Sequence, residues 1–90
     1  MRNAGTTPRA FTAAWFSSPA DVAHDGSGNL YVVDQANDRV QKFDSNGQFV
    51  WAVGTTGNAS GQFNTPTGIA VDGSGRLLVM DTNNSRVQVL

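Results

Sequence analysis

One segment occurs twice in this 90-residue chain, and the spacing of its two copies constrains the fold more than any other feature. Both copies, 19–43 and 66–90, contain Asp-Gly-Ser-Gly followed by Leu-x-Val-x-Asp-x-x-Asn-x-Arg-Val-Gln. Pro19 and Pro66 lie 47 residues apart, and the same offset relates every other matched pair. A constant offset of this size is the signature of a repeat architecture, in which each unit covers its apolar surface with the next unit.

The segments between turn residues are short and rich in β-branched and aromatic side chains, which is typical of strands. The first unit predicts strands at 19–25, 30–34, 39–43 and 48–54, and the second predicts strands at 66–72, 76–81 and 86–90. Asp-Gly and Asn-Gly pairs between them favour tight hairpin turns. Strand 30–34 is apolar on both faces and is expected to be buried on both, whereas the more polar strand 39–43 is expected nearer to water. No helical period occurs, so the chain is predicted to be all-β and built from antiparallel meanders.

A repeated four-stranded meander of about 40 residues is the unit of a β-propeller. Such a sheet has two apolar faces and therefore needs a neighbour on each side. The chain holds about two units, so by itself it cannot close a ring. We therefore expect a partial propeller over 1–90, which either assembles head to tail with other copies of itself or belongs to a longer propeller.

The pattern Pro-x-Gly-Ile-Ala-Val-Asp-x-x-Gly-x-Leu-x-Val-x-Asp-x-x-Asn-x-Arg-Val-Gln-Val, read from 66–89, resembles the NHL repeat. The resemblance covers 16–43 and 63–90. It implies a β-propeller, most often six-bladed, with a first blade at 16–54, a linking loop at 55–62 and a second blade at 63–90 that lacks its outer strand. Three copies of a two-bladed chain would complete such a ring, which favours a homotrimer. The resemblance carries over no catalytic residue.

The charge balance argues against several classes of partner. Six basic residues face seven acidic ones, for a net charge of −1, and the basic residues are scattered. Some NHL proteins bind RNA through a basic face, but this chain lacks that charge density, so neither nucleic acid nor an anionic membrane is expected as a partner. The sequence contains no cysteine and therefore no thiolate metal site. No apolar run reaches the length of a membrane helix, and the first residues lack the apolar segment of a signal peptide.

A charged signature recurs in both copies at the same spacing. Its members are Asp34, Asn37 and Arg39 in the first copy and Asp81, Asn84 and Arg86 in the second. Each set brackets the turn between the second and third strands. We interpret it as a structural ion pair with hydrogen bonds, because a unique active site would not be copied blade by blade.

Among the first-strand positions that differ between the copies, two carry an ionisable side chain in the first copy only. Asp21 and His24 stand where the second copy has Gly68 and Val71. First strands of propeller blades line the central channel, so these two residues are candidate binding residues at the channel mouth. Trp15 is a third candidate, because it either packs over a loop or stands exposed as a contact residue. One Asp and one His are too few for a metal shell, so no cofactor is expected.

These observations favour a non-catalytic scaffold that binds a protein or a small ligand at a rim formed by loops 5–15 and 55–62. The alternative from another class is part of a propeller enzyme, similar to lactonases or amidating lyases, with calcium or zinc near the axis. An enzyme is expected to place several carboxylates or histidines on first strands, and there the second copy offers only Asp72, at a turn, which favours the scaffold. A third hypothesis is a half-propeller whose only function is self-assembly, with strand addition between neighbouring chains.

Overall fold

The structure is a computed structural model that describes residues 16–90, so the candidate Trp15 lies outside the described residues. Sheet 1 comprises β1 (Pro19–His24), β2 (Leu30–Asp34), β3 (Arg39–Phe43) and β4 (Phe49–Val53). Sheet 2 comprises β5 (Pro66–Val71), β6 (Leu77–Asp81) and β7 (Arg86–Val89). Each strand pairs antiparallel with the next along the chain. The predicted all-β fold of antiparallel meanders is confirmed.

The hairpin turns follow from local side-chain chemistry. Asp25 opens the β1–β2 turn, and its Oδ1 atom accepts hydrogen bonds from the backbone N–H groups of Ser27 and Asn29. Asp72 opens the β5–β6 turn in the same way. Gly75 closes that turn with φ of 81°, a left-handed conformation that glycine adopts without steric cost. Each Asp-Gly-Ser-Gly sequence therefore specifies its own turn.

The second and third strands of each sheet are joined by a single 3-10 turn, Gln35–Asn37 in sheet 1 and Thr82–Asn84 in sheet 2. The residues that follow, Asp38 and Ser85, have left-handed φ values of 51° and 52°. The two copies thus match in backbone conformation as well as in strand order.

Within residues 16–90, no helix has the length and hydropathy that are needed to cross a membrane.

The hydrophobic core lies between the two sheets, whose first strands, β1 and β5, are adjacent. We call this contact the joint. Its buried side chains are Tyr31, Val33 and Val40 from sheet 1, Ile69, Leu77 and Val79 from sheet 2, and Phe63 from the connection between them. Gly54 (φ 111°) admits the Phe63 ring, because a Cβ atom there would lie 2.6 Å from ring atom Cδ2. The joint has the face-to-face stacking of neighbouring propeller blades.

Two predictions about burial need correction. The expectation that strand 39–43 lies near water is wrong, because Val40, Gln41 and Phe43 of β3 are fully buried. β3 lies inside the meander between β2 and β4, so both of its edges are covered. β2 is not deeply buried on both faces, since Leu30 and Val32 are only half-buried.

Candidate interaction surface at the joint and the open sheet faces

The fully buried carboxylate of Asp81 is the centre of a polar cluster in sheet 2. Its Oδ1 atom accepts a hydrogen bond from Asn64 N at 2.8 Å. Its Oδ2 atom accepts from Asn84 Nδ2 and Arg86 Nε at 2.9 Å each, and from Gln88 Nε2 at 3.1 Å. Burial acts to raise the pKa of the Asp81 carboxyl, but these donors outweigh burial and hold the pKa below its ordinary value.

The same cluster fastens the loop 55–62 to sheet 2. The Arg86 guanidinium donates to the backbone carbonyls of Asn58 at 3.0 Å, Ala59 at 2.8 Å and Gln62 at 3.0 Å. The Gln88 amide donates to Gln62 O at 2.6 Å. Because backbone carbonyls are fixed in position, these bonds hold the loop in one conformation against the sheet.

The equivalent cluster of sheet 1 surrounds Asp34, which is also fully buried. Asp34 Oδ1 accepts from the backbone N–H groups of Ser17 and Ser18 at 3.0 Å each, and Asp34 Oδ2 accepts from Asn37 Nδ2 at 2.7 Å. Arg39 Nε lies 3.7 Å from Asp34 Oδ2. Burial acts to raise the pKa of Asp34, and the donated hydrogen bonds lower it overall. The structure therefore brings together each predicted signature set.

Asp21 connects the two sheets at their first strands. Its Oδ1 atom accepts from the backbone N–H of Val22 at 2.9 Å, within sheet 1. Its Oδ2 atom accepts from the backbone N–H of Ile69 at 3.0 Å, within sheet 2. Gly68, the repeat equivalent of Asp21, has no side chain to repeat this contact. One carboxylate thus serves one N–H group of each first strand.

Asp38 forms a second link across the joint that sequence reasoning missed. Its Oδ1 atom accepts from Thr65 N at 2.7 Å, and its Oδ2 atom accepts from Thr56 Oγ1 at 2.6 Å. Ser85 is its equivalent in sheet 2 and carries no carboxylate. The signal was available, because Asp38 and Ser85 differ between the copies just as Asp21 and Gly68 do.

His24 lies apart from Asp21. The two residues point to opposite faces of β1, and His24 is exposed, with its Nδ1 atom 3.2 Å from Asp25 O. Within residues 16–90, no group of three or more His, Cys, Asp or Glu side chains is placed to hold a metal ion. The enzyme hypothesis and its calcium or zinc ion stay predictions.

The second face of sheet 2 is open, and the second face of sheet 1 is open along β1. Val33 and Val40 are fully buried in the joint, whereas their equivalents in sheet 2, Met80 and Val87, are 51% and 54% exposed. Val22 of sheet 1 is 54% exposed, whereas its equivalent Ile69 is 9% exposed. The open face of sheet 1 carries Val22, Leu30 and Val32, and the open face of sheet 2 carries Ala70, Leu78, Met80, Val87 and Val89.

A groove of about 380 Å³ lies on the open face of sheet 2. Its lining consists of Asp21, Gly68, Ile69, Ala70, Leu78, Met80 and Val87. In the joint, the equivalent surface of sheet 1 is covered by Ile69 and Val79. The groove is therefore the position that a neighbouring sheet would occupy.

Residues 63–90 match the sequence model of the NHL repeat. The chain carries an NHL repeat. The matched segment contains all of sheet 2, and the suspected resemblance is confirmed there. Sheet 1 has the same strand order and the same turns as this NHL repeat, which supports a propeller-type arrangement of the two sheets. No curated protein is significantly similar to the chain.

Proposed function

We propose that this chain is a non-catalytic interaction module that associates with itself through its open sheet faces and presents loops for binding. The observation that carries the proposal is the exposure of Val22, Met80 and Val87 at positions whose repeat equivalents are buried. Contiguous exposed apolar side chains on a soluble domain mark an interaction surface.

The expected gain from covering these faces is large compared with the stability of a small domain. Removing one Val or Met side chain from water contributes about 1.5–3 kcal/mol, whereas a domain of this length is stable by about 5–15 kcal/mol in total. A closed ring covers every open face at once, and three copies would supply six blades. We therefore propose a homotrimer.

The loop rim is the proposed site for a protein or a small ligand. Arg86 and Gln88 of sheet 2 hydrogen-bond to backbone carbonyls of loop 55–62. Asn58, Ala59 and Ser60 of this loop are exposed to solvent. A loop held in one conformation loses little entropy on binding, which favours recognition. The net charge of −1 gives no support to a nucleic acid or a membrane as partner.

The test is the absolute mass in solution by light scattering on a sizing column, over a range of concentrations. We expect one species with the mass of three chains. Val87→Arg should reduce it to the monomer mass, because the open face of sheet 2 would then carry an unpaired charge. Ala36→Arg, at an exposed turn position, adds the same charge and should leave the mass unchanged. A wild-type monomer at all concentrations would contradict self-association.

A further inference from the structure

The joint depends on two backbone N–H groups, one in β5 and one in the residue before it, which donate to carboxylates of β1 and of the β2–β3 turn. Ile69 N donates to Asp21, and Thr65 N donates to Asp38. A buried backbone N–H group requires an acceptor, because leaving it unpaired costs as much as a lost hydrogen bond. The two carboxylates therefore both satisfy sheet 2 and set its position against sheet 1.

In sheet 1 the equivalent N–H groups belong to Val22 and Ser18. Val22 N donates to Asp21 Oδ1 at 2.9 Å, and Ser18 N donates to Asp34 Oδ1 at 3.0 Å. Both acceptors are in sheet 1 itself. The open face of sheet 1 can therefore be covered by a neighbour that supplies no carboxylate at these two points.

The open face of sheet 2 has this property. At the positions equivalent to Asp21 and Asp38, sheet 2 carries Gly68 and Ser85. Lys42 is likewise replaced by Val89, which is 57% exposed. One open face thus requires no carboxylate at these points, and the other presents none. Contact between them would bury apolar side chains without creating an unpaired polar group there.

We propose that the open face of sheet 2 binds the open face of sheet 1 in a second copy of this chain, in the arrangement of the joint. We call this contact the seam. In it, Val22, Leu30 and Val32 of the second copy fill the groove on sheet 2, as Ile69, Leu77 and Val79 fill the joint. The side chains match pairwise as Val for Ile, Leu for Leu and Val for Val. The inference rests on the proposed self-association and names its partner and its register.

The same arrangement predicts which charges the seam excludes. By analogy with Asp38 and Thr65, Ser85 of one copy faces the backbone of Ser18 in the next. That backbone N–H already donates to Asp34, so a new carboxylate at position 85 would find no free donor there and would face a carboxylate of the same sign. A carboxylate stabilises the joint at position 38, but at the equivalent position 85 it is expected to weaken the seam.

The pairing is tested first by cysteine cross-linking, because the natural sequence contains no cysteine. The double variant Ser18→Cys, Ser85→Cys is treated with a short bis-maleimide and run on a denaturing gel. We expect covalent dimers and trimers. Each single-cysteine variant should stay monomeric on the gel, and a mixture of the two should give dimers. The control Asp38→Cys, Thr65→Cys bridges the joint within one chain and should run as a monomer.

Each outcome of the cross-linking decides between arrangements. Dimers from a single-cysteine variant would show a face binding its own copy, and would overturn the head-to-tail pairing. An oligomeric mass without cross-linking of the double variant would also overturn this pairing while leaving self-association intact. A monomeric mass of the wild type would overturn both proposals.

The charge rule is tested with Ser85→Asp against Ser85→Asn. Both residues tolerate the left-handed conformation at this position, and they differ mainly in charge. We expect Ser85→Asp to weaken association about tenfold or more at low salt, since like charges in contact across an interface are strongly unfavourable. High salt should partly restore association, and Ser85→Asn should assemble like the wild type. Equal association of the two variants at low salt would overturn the proposed register.

Discussion

The two sheets carry the same signature, and within residues 16–90 its contacts differ in detail between them. In sheet 2, Arg86 Nε lies 2.9 Å from Asp81, and Gln88 bonds to Gln62 and Asp81. In sheet 1, the corresponding Arg39–Asp34 distance is 3.7 Å. The buried amide of Gln41 has no hydrogen-bond partner among residues 16–90.

In both sheets the signature aspartate accepts a hydrogen bond from the segment that precedes the sheet. In sheet 2 this segment is the connection 54–65, whose carbonyls accept from Arg86, Asn84 and Gln88. In sheet 1 the described part of this segment is 16–18, where Asp34 accepts from the backbone N–H groups of Ser17 and Ser18. The repeated residues therefore specify the same type of contact in both sheets.

The largest expected change in stability comes from replacing Phe63, and its repeat equivalent Phe16 provides the comparison. Phe63 is fully buried in the joint, whereas its equivalent Phe16 is half-buried against Phe43. Phe63→Ala should lower the free energy of unfolding by about 3–5 kcal/mol, because it leaves a cavity between the sheets. Phe16→Ala should cost clearly less. Urea denaturation of both variants measures the difference, and equal losses would contradict the unequal roles assigned to the two rings.

The second prediction compares the two buried carboxylates. Asp81→Asn should lower the free energy of unfolding by about 1–3 kcal/mol, because Asn64 and Arg86 lose a charged acceptor. Asp34→Asn should cost less, because Arg39 is farther from its partner. Thermal melting of the two variants ranks them. A larger loss for Asp34→Asn would show that distance to the arginine does not determine the cost.

The third prediction concerns acid. The pKa values of Asp25, Asp34, Asp72 and Asp81 all lie below the ordinary value of 3.8. Because the folded chain binds protons less readily than the unfolded chain, this stabilisation is complete above about pH 4–5 and is lost as pH falls through 3.8 toward the lowered values. Urea midpoints should therefore be nearly constant from pH 7 to 5 and fall below pH 4.

A control belongs with the acid series. Asp81→Asn removes one of these carboxyls, so its midpoint should fall less steeply with acid than that of the wild type. A parallel decline in both proteins would show that Asp81 does not contribute to the acid sensitivity.

Replacing the two equivalent glutamines, Gln41 and Gln88, is expected to change the stability in opposite directions. Gln41→Met replaces a buried amide that has no hydrogen-bond partner among residues 16–90 by an apolar side chain of similar length, and should stabilise the chain by about 1 kcal/mol. Gln88→Met removes the bonds to Gln62 and Asp81 and should destabilise it by about 1–3 kcal/mol. Melting temperatures measure both changes. Destabilisation by Gln41→Met would mean that this amide is satisfied in solution.

Much of the fold could be predicted because its signals are local. Asp25 and Asp72 each bond to backbone groups two and four residues away, so the turn sequence alone locates the hairpins. The predicted strand limits agree with the structure to within one residue. Burial was predicted less well, since the polarity of β3 indicated exposure while its neighbours β2 and β4 enclose it.

The candidate surface was predicted only in part. Asp21 was identified from its difference from Gly68, but its bond to Ile69 joins residues 48 apart in the sequence and could not be read from spacing. Asp38 and Thr65 are 27 residues apart, and the same limit applies to them. Contacts of this kind depend on how two sheets stack, which no local pattern encodes.

The repeat, the strand order and the turns can be read from the residues alone, because backbone hydrogen bonding within each hairpin depends on residues a few positions apart. Which face of each sheet is covered depends on how the two sheets stack. Val40 and Val87 are the same residue at the same repeat position, yet one is buried and the other exposed. Burial depends on whether a second sheet lies against the face, and not on the side chain that the face carries.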